Sequence, residues 1–122
     1  MKTENVVVEK SKAFAIRIIK MYRYLCNNKK EYILSKQVMR SGTSIGANVK
    51  EANCAVSKPD FYMKIGIALK EASETEYWLE LLHETEYLTD VQFNSIYADC
   101  QEILKLLMAI SRSKKRIYHN VY

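Results

Sequence analysis

Apolar side chains recur along this chain with the period of a helix, not that of a strand. Phe14, Ile18, Met21 and Leu25 keep a four-three-four spacing, with Ile16, Ile19 and Tyr22 widening the stripe. Residues three and four apart share one helical face, so the pattern predicts an amphipathic helix over about 5–27. The polar stretch NNKKEY then interrupts it. Val38, Gly42, Ile45, Val49 and Ala52 resume the same rhythm and predict a second helix over 36–55, with Ser35 as its N-cap. Ser57-Lys58-Pro59-Asp60 reads as the start of a third helix: Ser57 caps, Pro59 is tolerated in the first turn, and Asp60 completes a box-like arrangement. Val56 and Phe61 occupy the positions of a hydrophobic staple.

The third helix, about 58–87, carries an unbroken seam of Phe61, Ile65, Ala68, Ala72, Thr75, Leu79 and Leu82, widened by Trp78 and Leu81. Thr89 and Gln92 form a second capping box, with Leu88 and Phe93 as its staple. Phe93, Ile96, Cys100, Ile103, Leu107 and Ile110 then run through a fourth helix over 90–114. Short connections force consecutive helices back on one another. The expected fold is all-α, an antiparallel up-down-up-down four-helix bundle occupying 1–122 as one domain, with a frayed basic tail over 112–122.

Composition agrees. One Pro and three Gly in 122 residues leave little material for the turns of a β architecture, and 48% apolar residues suffice for one core. Cys26, Cys54 and Cys100 are odd in number and lack a Cys-x-x-Cys pair, which reads as reduced thiols, two or three of them at least partly buried. The first ten residues hold no signal-like apolar core, and no run approaches the ~18 apolar residues of a membrane span. A cytoplasmic protein without membrane contact is expected.

Charge is segmented. Residues 1–58 hold twelve Lys/Arg against four Asp/Glu, residues 59–111 hold three against ten, and residues 112–122 hold four against none. The basic and acidic segments can complement one another within the fold or between subunits, while the tail has no local partner.

Met39 to Ala52, MRSGTSIGANVKEA, is the unusual stretch. Gly42 and Gly46 form a Gly-x-x-x-Gly inside a predicted helix, at a cost of about 1 kcal/mol each against Ala. Ser44 and Ala47 keep the surface small, so another helix can approach closely, either from the same chain or from a second subunit. There is no Gly-Lys-Ser/Thr of a phosphate loop. Asn48 is expected to bond across helices or face solvent, and Glu51 to pair with Arg40 or Arg17.

Arg40-x3-Ser44-Ile45-Gly46-Ala47-Asn48-Val49-x-Glu51, then Asp60-Phe61, then Ile67-Ala68-Leu69-Lys70-Glu71-Ala72-x2-Glu74, resembles the family of proteins encoded in intervening sequences of 23S ribosomal RNA, the S23 family. Many members carry Pro where Gly46 stands here and Gly where Ala52 stands. The resemblance implies a small bacterial cytosolic bundle that assembles as a homopentamer. Arg40, Gly42, Ser44, Gly46, Asn48 and Glu51 then become candidates for helix packing or a subunit contact. A related branch, the accessory protein of diversity-generating retroelements, uses a basic pentameric surface to bind reverse transcriptase and RNA.

Clustered cations with interleaved aromatics are what phosphate neutralisation and base stacking require. Arg17, Lys20, Arg23, Tyr24, Lys29 and Lys30 offer one such patch; Arg112, Lys114, Lys115, Arg116 and Tyr118 offer a second. Catalysis finds less support. Glu80-x-x-His83 is half of a di-iron carboxylate motif, but the only other histidine is His119, so no metal or cofactor is expected. Neither histidine pairs with a nucleophile by spacing. The expectation is a non-enzymatic oligomer that binds RNA or a nucleic-acid enzyme, against a rival scaffold that recruits protein partners through acidic helix three.

Overall fold

The computed structural model describes the backbone of residues 2–119 and the side chains of residues 5–114. Four helices carry them: α1 (Lys2–Asn27), α2 (Leu34–Asn53), α3 (Lys58–Glu84) and α4 (Asp90–His119), with no strand among the described residues. Helix α1 packs on α2, α2 on α3, α3 on α4 and α4 back on α1, closing a ring of helices around a single core. Cross-helix pairs run in opposite numerical order. Lys10 meets Glu102 while Arg17 meets Asp99, and Arg40 meets Glu71 and Glu74 while Glu51 meets Lys64.

The seams close as the spacing predicts. Phe14, Ile18, Leu25, Ile45, Ile65, Leu79, Leu82, Ile103 and Leu107 are all fully buried, at about 1.5–3 kcal/mol of transfer energy for each such side chain. Val7 and Ser11 extend the α1 seam by two positions beyond Phe14. At the centre of α2 and α3, Thr75 Oγ1 lies 2.8 Å from Ser41 Oγ and 2.8 Å from the Glu71 carbonyl, so the buried hydroxyls are satisfied. Cys100 is in the core, where burial, with Glu76, Asp99 and Glu80 nearby, pushes its thiol up to about 12. Cys26 is half-buried and Cys54 exposed, so two of the three thiols are sheltered.

Gly42 and Gly46 serve packing within the chain. A Cβ on Gly42 would stand 2.8 Å from Ile18 Cγ1, and one on Gly46 would stand 3.3 Å from the Ser11 carbonyl oxygen. Helix α1 therefore lies directly over both, and the propensity cost of the two glycines is offset by that close approach.

Several local expectations are corrected. Ser35 is not the N-cap of α2: the helix starts at Leu34, behind an Ile33 that makes no side-chain cap. Glu31 substitutes, its carboxylate accepting from the backbone N–H of Ile33 (3.1 Å), Leu34 (3.1 Å) and Ser35 (2.7 Å). Val56 is 95% exposed and forms no staple, because the chain turns outward there. Ser57 does cap α3, its hydroxyl accepting from the Asp60 N–H at 3.2 Å. Thr89 and Gln92 form the reciprocal box, with the Thr89 N–H donating to Gln92 Oε1 and the Gln92 N–H to Thr89 Oγ1. Helix α3 ends at Glu84, and α4 continues to His119, through much of what composition alone reads as a tail.

Candidate nucleic-acid interface

Positions 17, 20 and 24 fall one turn apart on the α4-facing flank of α1, beside the buried seam of Phe14, Ile18, Met21 and Leu25. Lys20 and Arg23 are exposed and Tyr24 is half-buried. Past Asn27 the chain reverses tightly: the Asn28 N–H donates to the Tyr24 carbonyl (2.8 Å) and the Glu31 N–H to the Leu25 carbonyl (3.0 Å). Lys30 sits at φ 55°, a left-handed conformation that costs a non-glycine residue about 1 kcal/mol. Glu31, buried beneath this turn, holds it to α2. Burial pushes its carboxyl up, but the N–H groups of Ser35, Leu34 and Ile33 outweigh that and hold it below the usual carboxylate range. Lys29 and Lys30 therefore project from an anchored turn, flanked by exposed Tyr32 and Ile33.

Lys20, Arg23, Lys29 and Lys30 have no carboxylate within ion-pair distance among the described residues. Arg17 differs. Its guanidinium donates to Asp99 Oδ2 (2.6 Å), Ser95 Oγ (2.9 Å) and the Ser95 carbonyl (3.3 Å), so α4 already balances its charge. Between α1 and α4 runs a groove of about 380 Å³ lined by Arg17, Lys20, Met21, Tyr24, Leu88, Gln92 and Ile96. A second hollow of about 320 Å³ adjoins it at Leu88 and brings in Lys29, but Glu86 and Asp90 also face it.

The second cationic patch lies elsewhere. Arg112 and Lys114 are exposed near the end of α4, where Ser113 Oγ meets Tyr62 Oη (2.9 Å) close to the start of α3. Gln92, earlier on the same helix, lines the groove, so roughly 30 Å of helix separates the patches. The side chains of Lys115, Arg116 and Tyr118 lie outside the described residues.

The remaining candidates are engaged locally. Arg40 spans to Glu71 (2.8 Å) and Glu74 (2.5 Å) on α3; hydrogen bonding to Glu74 raises the arginine, and the same pairing lowers Glu74. Ser44 donates to the Arg40 carbonyl and Asn48 Nδ2 to the Ser44 carbonyl, so Asn48 bonds within its own helix and not across helices. Glu51 pairs with Lys64 (3.0 Å), not with Arg40 or Arg17, because both arginines face carboxylates nearer to them. Glu80 accepts from Tyr97 Oη, and His83 bonds Asp90 (2.7 Å) while stacking on Phe93 at 4.1 Å. Glu80 and His83 thus each have a partner on α4. Tyr32 and the groove-lining Leu88, Gln92 and Ile96 are not legible as site residues in the sequence; NNKKEY marks its surroundings as turn, and nothing in the pattern of α4 marks a groove.

The family described as 23S rRNA-intervening sequence protein matches residues 3–109 of this chain. No curated protein matches it. Among solved structures the chain is similar to a protein with unknown function from the S23 ribosomal protein family of Bacteroides thetaiotaomicron VPI-5482. The two share 56% identity and a TM-score of 0.89, over 90% of this chain and 98% of that one.

Proposed function

Because this chain belongs to the 23S rRNA-intervening sequence protein family, we propose that it is a non-enzymatic, self-assembling bundle that binds RNA through the cationic end of α1. The observation that carries this reading is the group Lys20, Arg23, Lys29 and Lys30: exposed, without carboxylate partners among the described residues, and held on a helix and an anchored turn. Phosphate neutralisation needs cations that no internal acid has already balanced. The opposed numbering of the cross-helix pairs supports an antiparallel up-down-up-down arrangement, which keeps this end of α1 beside the start of α4.

Self-assembly, into five copies as the family resemblance implies, finds support on α3. Met63, Ile67 and Tyr77 are exposed on the face opposite the buried seam, and a Cβ on neighbouring Gly66 would meet nothing within 4 Å. Met63 and Ile67, one turn apart beside a helix-weakening glycine that no packing inside the chain uses, fit a partner helix. The same face is what a protein-recruiting scaffold would use. No described helix is long and apolar enough to cross a membrane, and the cytoplasm is the compartment this reading takes.

Filter binding to single-stranded RNA at two salt concentrations tests the proposal. Replacing Lys20, Arg23, Lys29 and Lys30 by Ser should weaken binding and flatten its salt dependence by roughly three in log-log slope, at about 0.7 for each phosphate no longer neutralised. Salt-independent retention, or none, favours the scaffold. Native mass measurement of the wild type and of Ile67→Glu tests assembly; a monomeric wild type removes it.

A further inference from the structure

The groove between α1 and α4 combines an apolar base with a polar edge. Its floor is Met21, Leu88 and Ile96, apolar and buried; its walls are Tyr24 and the guanidinium of Arg17; its rim carries Lys20. Arg17 is held by three hydrogen bonds to Ser95 and Asp99, which fixes the plane of the guanidinium and balances its charge. A guanidinium so restrained is better placed for stacking on a flat π-system than for neutralising phosphate. Gln92 uses Oε1 in the capping box with Thr89, leaving the Nε2 donor for another acceptor. The volume, about 380 Å³, falls at the low end of the roughly 300–1,000 Å³ usual for small-ligand clefts.

We infer that this groove is a base-accepting subsite for single-stranded RNA. One unpaired base enters it over the apolar floor, against Tyr24 and the Arg17 guanidinium, with Gln92 Nε2 donating to its edge, while the flanking phosphates run along Lys20 and Arg23. Charge complementarity selects this occupant: Lys20 on the rim and Arg23, three residues on along α1, are exposed and have no carboxylate partner among the described residues, whereas Lys29 shares its hollow with Glu86 and Asp90. A base inside a duplex cannot enter, so single strands are preferred over paired ones. The inference rests on the RNA-binding reading above and adds to it an interaction that carries no charge.

Fluorescence anisotropy with the full chain tests it, using a 3′-labelled single-stranded RNA, an abasic strand of equal length and charge, and a blunt RNA duplex. Tyr24→Ala should lose about tenfold in affinity for the normal strand, within the range expected of one base–aromatic stack, with no change for the abasic strand. Tyr24→Phe, which keeps the ring, should retain wild-type affinity. Because Tyr24 packs on the core, Tyr24→Ala lowers the unfolding midpoint, and helicity equal to wild type at the assay temperature shows that the fold of both variants is intact. Equal wild-type affinity for normal and abasic strands overturns the subsite while leaving phosphate binding standing. Absence of binding to all three at low salt overturns the RNA reading itself. Tighter, Tyr24-dependent binding of an acidic aromatic peptide of equal charge overturns the choice of occupant.

Discussion

The two flanks of α1 are packed by opposite means. On the α2 side, Gly42 and Gly46 bring the helices so close that a single Cβ would press on Ile18 or on the Ser11 backbone. On the α4 side the packing is looser: Arg17 and Lys10 reach across to Ser95, Asp99 and Glu102, and a groove stays open beside them. Small residues allow backbone approach and exclude everything else, whereas long polar side chains bridge a gap without filling it. One helix thus has a sealed flank and a receptive one, and the difference traces to side-chain size at facing positions.

The hardest test of the sealed flank is Gly46→Val. The added branch meets the Ser11 carbonyl, which cannot rotate away, so urea unfolding should show a loss of about 3 kcal/mol. Gly66→Ala is its counterpart on a face that packing within the chain leaves open, and for the single chain it should instead gain about 0.5–1 kcal/mol, since nothing of that chain lies within 4 Å of the new methyl. If both substitutions moved stability alike, packing would not be what distinguishes them.

Next in size is Glu31→Gln, at the turn that ties the sealed flank together. An amide would turn an NH2 toward backbone N–H donors, and a loss of about 2 kcal/mol is expected. The pH dependence follows from the lowered carboxyl. Its folded-state value lies below the unfolded one, so its stabilisation is complete above the unfolded value of about 4.3 and is lost as pH falls through the folded value. Urea midpoints of wild type and variant should therefore converge on acidification below about pH 4. A constant gap would remove the carboxylate as its cause.

The receptive flank should respond least. Arg17→Ala removes a part-exposed ion pair and is expected to cost no more than about 1 kcal/mol in urea unfolding. Because Asp99 already balances Arg17, this variant should change the salt slope of RNA binding less than Lys20→Ala does. An equal or larger change would place Arg17 among the residues that neutralise phosphate.

Much of this fold is legible in the residues. The four-three seams on Phe14 to Leu25, Val38 to Ala52, Phe61 to Leu82 and Phe93 to Ile110 set four helices, because helical periodicity is a local property that burial then rewards. The Ser57 cap and the capping box at Thr89 mark two of the starts. The start of α2 is not legible, because Glu31 caps from outside the usual N-cap position, through a left-handed turn at Lys30 that no residue type announces. Nor are the partners of Asn48, Glu51 and Arg40, since polar pairing depends on which helix faces which, and at what register.

Sequence by itself determined the number of helices, their apolar faces, the segregation of charge and the family, since each is written in spacing or residue identity. Tertiary structure decided what those features meet: that both glycines of α2 are covered by α1, that Arg17 is balanced by α4 while Lys20 is not, and that a groove remains between them. The physical reason is that a side chain's type is a property of the chain, but its neighbours across a helix interface are fixed only when four helices settle into one register.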